Sequence, residues 1–220
     1  MYVPYPRVTQ VISEMSPRDW LVRWEKRIGK QNATRIRNET STVGTIVHYR
    51  ILKELTKSPI PRPKISMKYC PSNILELCEI AGIQWKQLNQ NSIKILPGRC
   101  EIERFTLHHK LRVCGTYDIG ANIQYHDEPP AWTVADLKTS AIARESHFIQ
   151  LGAYALFMDP YPDQGMVITL CPYIEKNPLL EPRVYRIDKN ELKRYSNIFV
   201  DMLERFHDKY PMKRRYTYSK

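Results

Sequence analysis

The strongest limit on the fold is a change of period. From residue 100 onward, apolar residues recur at every second position in three runs: CEIERFTLHH (100–109), KLRVCGTYDIGANIQ (110–124) and AWTVADLKT (131–139). Alternation of this kind sends neighbouring side chains to opposite faces of a sheet. The runs therefore read as three consecutive strands, the first two joined by a hairpin turning near His109–Lys110. Residues 1–90 instead keep mostly helical spacing.

SPRDWLVRWEKRIG (16–29) is predicted as a helix with Ser16 as N-cap, Pro17 as first helical residue, Asp19 as capping-box partner and Gly29 as stop. Trp20, Trp24 and Ile28 form its apolar face. A second helix covers roughly 33–56, with Val43, Val47, Ile51 and Leu55 at helical spacing. SPIPRPK (58–64) can be neither helix nor central strand, because its prolines lack the N–H that either needs. A short helix follows near 72–88. After the strands, ESHFIQLGAYALFM (145–158) is an amphipathic helix ended by Asp159–Pro160. GMVITLCPY and PRVYRI are two further strands. DKNELKRYSNIFVDMLERFHDKY closes the chain as a helix, with Asp188 and Glu191 as capping box and Leu192, Tyr195, Phe199, Leu203 and Phe206 as buried stripe. Helices, three strands, a helix, two strands and a helix predict an α/β layered fold with a mixed sheet.

At 220 residues and 42% hydrophobic content, the chain can build one domain with a real core. Its net charge of +11 points to a polyanionic partner, nucleic acid first. Arg18, Arg23, Lys26, Arg27, Lys30, Arg35 and Arg37 concentrate on the N-terminal helices as a candidate phosphate surface, and the tail MKRRYTYSK is basic too. MYVPYPRVTQ lacks the apolar core of a signal peptide, and no uncharged apolar run is long enough to cross a bilayer, so a cytoplasmic protein with no membrane partner is expected. The five cysteines are scattered, without a Cys-x-x-Cys pair. They suit reduced thiols rather than a disulfide framework or zinc knuckle.

Four spaced motifs carry chemistry. Asp118, in Gly115-Thr-Tyr-Asp118, stands on the hairpin's second strand, and Asp136-Leu-Lys138 ends the next. Sequential strands about 5 Å apart bring Asp118 and Asp136 to one point, where two carboxylates need a proton or a cation between them. A hard divalent ion answers that need economically. Glu101 and Glu103, on the hairpin's first strand, share Asp118's side if the turn has two residues, and either is a possible third acidic ligand. Gln150 and Tyr154 share one face of the helix after the strand. Gly44 and His48 share a face of the second helix, with His48 beside the gap a missing side chain leaves.

The ordered set Gly44-x3-His48, Gly115-x2-Asp118, Asp136-x-Lys138 and Gln150-x3-Tyr154 resembles the PD-(D/E)XK nuclease superfamily, most closely its RecB-type domains. The N-terminal stretch PRVTQVISEM…WLVRWEKRIGK resembles mitochondrial genome maintenance exonucleases and related phage and archaeal exonucleases. The resemblance spans roughly residues 6–158. It departs from the superfamily pattern at Tyr117, where proline is usual. It also lacks the C-terminal cysteine trio that holds an iron–sulfur cluster in one branch, so no cluster is expected.

The resemblance implies a single nuclease domain over 1–220. Its core is restriction-endonuclease-like, with a mixed central sheet and flanking helices in 91–220 and a helical part in 1–90. It further implies a Mg²⁺ or Mn²⁺ site formed by Asp118, Asp136, His48 and the Leu137 carbonyl. Lys138 would orient or deprotonate a water, and Gln150 and Tyr154 would position Lys138, the water or a phosphate. Thr139 and Ser140 would donate hydrogen bonds to the DNA backbone, and Arg27, Lys30, Arg35 and Arg37 would hold its phosphates. The implied activity is DNA cleavage, exonucleolytic on duplex ends or single strands. An endonuclease of the same fold and a non-catalytic DNA-binding module are the alternatives.

Overall fold

A computed structural model describes residues 5–17, 19–56, 59–172 and 181–211. Arg18 and the basic tail lie outside the described residues. Among the described residues, six α-helices and five strands follow one another as α1 (Val8–Met15), α2 (Asp19–Ile28), α3 (Lys30–Leu55), α4 (Ile74–Asn91), β1 (Ile93–His108), β2 (Val113–Tyr125), β3 (Ala131–Lys138), α5 (Glu145–Ala155), β4 (Gln164–Thr169), β5 (Arg183–Asp188) and α6 (Lys189–Lys209). The strands form one sheet in sequence order, β1-β2-β3-β4-β5. All neighbours are antiparallel except β3 and β4, whose parallel pairing is made possible by the α5 crossover. This is the mixed sheet with flanking helices and a helical N-terminal region that the pattern predicts.

A separate apolar core covers each face of the sheet. One holds Val8 and Val11 of α1, Ile149, Leu151 and Tyr154 of α5, Phe199 of α6, and Val134 of β3. The other holds Val43, Val47 and Ile51 of α3, Trp85 of α4, and Ile119, Ala135 and Leu137. β3 alternates between the two cores, as a central strand does. β2 breaks the period at its functional point. Tyr117 packs in the α5 core, whereas Ile119, two residues on, packs in the α3 core. Opposite this break, between the pairs Ile102–Ile119 and Arg104–Tyr117, Glu103 takes a left-handed backbone with φ 49°. Asp118 sits at the switch.

Several local expectations need correction. The helix of 16–29 starts at Asp19, not Pro17, and Ser16 instead ends α1, donating its N–H to the Ile12 carbonyl. No residue of α2 is buried, so its apolar face of Trp20, Trp24 and Ile28 is left out of both cores. The hairpin turn has four residues, 109–112, not two. Helix α5 stops at Ala155, short of Met158. Asp188 caps α6 as expected, accepting from the Asn190 and Glu191 N–H groups, while Tyr195 in its stripe is half-buried. Helix α1 was not predicted, although Val8, Val11 and Ile12 carry the i, i+3, i+4 signal.

Helix α5 carries two residues of the site and is held at close range by α6. Ser196 Oγ donates to the Gly152 carbonyl at 2.7 Å and shares the bond with the Leu192 carbonyl at 3.1 Å. A Cβ on Gly152 would meet Ser196 N and Tyr195 C at 2.5 Å, both backbone atoms that cannot swing aside. Gly152→Ala is therefore expected to lower the unfolding free energy by about 2 kcal/mol, measured by urea titration of the circular dichroism signal. An unchanged midpoint would show that the two helices do not pack this closely.

Candidate active site

The β2–β3 ladder ends at the pair Ile119–Ala135. One step beyond, Asp118 faces Asp136, and the Asp118 side chain takes over the ladder by accepting the Leu137 N–H at Oδ2, 2.8 Å away. Both aspartates are buried, at 8% and 1% exposure. Lys138 Nζ forms an ion pair with Asp136 Oδ2. That oxygen is buried and lacks a regular hydrogen bond. Asp136 and Lys138 do share one side of the strand, as their spacing of two requires.

Gln150 is the hub. Its Oε1 accepts from Lys138 Nζ at 3.3 Å, while its Nε2 lies 3.1 Å from Asp136 Oδ1 and 3.0 Å from Tyr154 Oη. Tyr154 is 3% exposed, and burial followed by the nearby Asp136 holds its hydroxyl protonated, well above the ordinary tyrosine range. It therefore positions Gln150 and does not reach solvent. From the opposite side, His48 Nδ1 of α3 lies 3.5 Å from Asp118 Oδ2. Gly44, one turn earlier, lets the β3–α5 connection approach: a Cβ there would stand 3.1 Å from Thr139 Oγ1.

Electrostatics follow from crowding. Desolvation raises the pKa of Asp118 despite Lys138 and the Leu137 N–H. It pushes Asp136 up to about 6, with Asp118 adding to the rise and Lys138 opposing it. Glu103 is pushed up to about 7 by desolvation and then by Asp118 and Asp136. Desolvation and Lys138 lower His48 to about 4, leaving its imidazole neutral at pH 7 and able to donate a lone pair. Of the two glutamates, only Glu103 joins the cluster. Glu101 turns to Arg99, at 2.7 Å, and to the Tyr117 hydroxyl.

Three carboxylates against one ammonium leave this point short of positive charge. Oxygen donors with one neutral imidazole match the chemistry of Mg²⁺ or Mn²⁺. The fit lies in the donor set: among the described residues, no three His, Cys, Asp or Glu side chains already stand at metal-ligand spacing. The five cysteines are free thiols.

The cluster opens into a groove of about 730 Å³ lined by His48, Lys138, Thr139, Ser140 and Arg37 together with Trp20, Trp24, Arg144 and His147. Thr139 and Ser140 thus flank the site as expected. Of the four predicted basic residues, only Arg37 lines the groove. Arg27, Lys30 and Arg35 are exposed outside it, and Arg35 is paired with Glu39 at 3.0 Å.

No protein-family model and no curated protein matches the chain. Among solved structures, one described as "Crystal structure of SSO0001" aligns at 17% identity over 74% of each chain with a TM-score of 0.32. A likeness that slight carries no argument about fold or activity.

Sequence reasoning missed Arg144, His147 and the groove-lining role of the two tryptophans. Arg144 and His147 lie three apart around the start of α5, where the His147 ring accepts the Arg144 N–H at 3.2 Å. The signal for the tryptophans was an amphipathic helix rich in cations, which reads equally well as a core element.

Asp118→Asn removes one of two facing buried charges while an amide oxygen can still accept the Leu137 N–H. In metal-free buffer the variant is expected to be more stable than wild type by about 1 kcal/mol, read as a higher Tm in EDTA. A lower Tm would make Asp118 a structural acceptor rather than half of a repelling pair.

Proposed function

We propose that the chain is a metal-dependent deoxyribonuclease that hydrolyses phosphodiester bonds, acting as an exonuclease on DNA ends or single strands. The observation that supports this best is the Asp118–Asp136–Lys138–Gln150 network, set where the ladder between two adjacent strands ends and opening into a groove lined by cations. Structural ion pairs on a surface have no need of two facing buried carboxylates and a half-buried third whose pKa values rise together.

Asp118, Asp136, His48 and the Leu137 carbonyl are the donors for Mg²⁺ or Mn²⁺, with Glu103 as a further carboxylate. Such an ion supplies Lewis-acid polarisation of a phosphate and makes water more acidic. The protein's own groups set the geometry. Gln150 and Asp136 fix the Lys138 ammonium at the mouth of the site, where it faces the charge that develops as a phosphodiester is attacked. Tyr154 holds Gln150 by its amide. Arg37 and Arg144 bring phosphates in, and neither reads bases by hydrogen bonding.

The test is incubation of end-labelled single- and double-stranded DNA with Mg²⁺ or Mn²⁺, with a closed circle as control. Nucleotides released from ends and an intact circle are expected; a cut circle would make the enzyme an endonuclease. Lys138→Ala is expected to slow cleavage by about 100-fold or more and to resist rescue by excess metal. His48→Ala should need more Mn²⁺ and recover part of its activity when given it. No cleavage by the wild type under any of these conditions would contradict the proposal, as would near-normal turnover by Asp136→Ala.

A further inference from the structure

We propose that Trp20 and Arg144 form a base-stacking platform that selects single-stranded DNA for the site, an inference that rests on the nuclease assignment above. Helix α2 is amphipathic, yet none of its residues is buried, and Trp20 is left 50% exposed. A large aromatic face kept out of both cores costs apolar surface to water unless something covers it. The Arg144 guanidinium lies 4.9 Å from the Trp20 ring centroid. The pair therefore offers a flat aromatic surface with a cation already set against it.

Its place specifies the occupant. Trp20 and Arg144 line the groove that contains Lys138 and His48, and they also border a second groove of about 440 Å³ between α1 and α5. The first groove carries Arg37, Lys138 and Arg144, and no Asp or Glu among its described lining residues. Arg37 is paired with Glu25 and Lys138 with Asp136, while the Arg144 guanidinium is set against the Trp20 ring; a cation beside an exposed indole face calls for an anionic ligand with planar rings. Single-stranded DNA presents both at every nucleotide. A duplex presents the phosphates but keeps its base faces inside the stack, where Trp20 cannot reach them. On the far side of His48, a groove of about 400 Å³ lined by Glu103, Tyr49 and Phe105 has no Lys or Arg among its described lining residues. Between these two grooves, the lysines and arginines among the described lining residues are all on the Trp20 side.

The test measures binding to the full chain in EDTA, so that cleavage does not intervene. The probes are a short thymidylate strand, an abasic strand of equal length and a duplex. Wild type is expected to bind thymidylate about 10-fold tighter than the abasic strand, with quenching of tryptophan emission. Trp20→Ala should bind thymidylate about 10-fold more weakly, bind the abasic strand as wild type does, and so lose the preference. Trp20→Phe should recover part of it, an outcome that a merely structural role for Trp20 would not produce. Because Trp20 is exposed, all three proteins should share one melting curve. Equal binding of thymidylate and abasic strands by wild type would overturn the platform, as would a preference that survives in Trp20→Ala or tighter binding of the duplex. Cleavage in Mn²⁺ without any base preference would sink the platform and leave the nuclease assignment standing. An intact preference without cleavage of any strand would sink the nuclease assignment and leave a single-strand-binding surface.

Discussion

The contact on which the rest of the site depends is the ion pair between Lys138 and Asp136, formed where neither partner can be fully hydrated. Removing two charges from water is costly, and such a pair persists only if its remaining valences are met. Three neighbouring elements surround the pair. Helix α5 contributes Gln150, which bridges the two partners. Strand β2 contributes Asp118, held in turn by the Leu137 N–H. Helix α3 contributes His48, and Gly44 permits the approach. The two cores serve this geometry by clamping the sheet between α3 and α5, so that side chains from both layers meet where the β2–β3 ladder ends.

Charge balance nevertheless remains incomplete. Asp118 and Asp136 share one ammonium with Glu103 close enough to feel both, and each carboxyl is pushed upward by burial. Glu103 also holds a left-handed backbone, a conformation that costs a non-glycine residue energy and tends to persist at functional sites. A fold free to optimise stability alone has no reason to keep these features together. Local instability of this kind is the usual companion of a site built to receive a cation or a substrate.

Much of this was legible in the sequence because it follows from short-range periodicity. A spacing of two put Asp136 and Lys138 on one side of β3, and a spacing of four put Gln150 and Tyr154 on one face of α5. Sequential strands brought Asp118 beside Asp136. What periodicity could not reveal were events that break it. The face switch at Tyr117–Asp118 and the left-handed Glu103 separate Glu103 from Glu101, although both lie in the same alternating run. The exposure of α2 was equally hidden, since an apolar stripe records amphipathicity but not what covers it. Helix α1 went unpredicted because it is short, with Val8, Val11 and Ile12 as its entire buried face.

The central claim is that the buried carboxylates form a receptor for a divalent cation. Calorimetric titration of the full chain with Mn²⁺ tests it most directly, comparing wild type with Asp136→Asn, which keeps the side chain's size and removes its charge. The account predicts saturable Mn²⁺ uptake by wild type and its loss in the variant while the fold is retained. Absence of uptake by wild type, or equal uptake by both proteins, would contradict it.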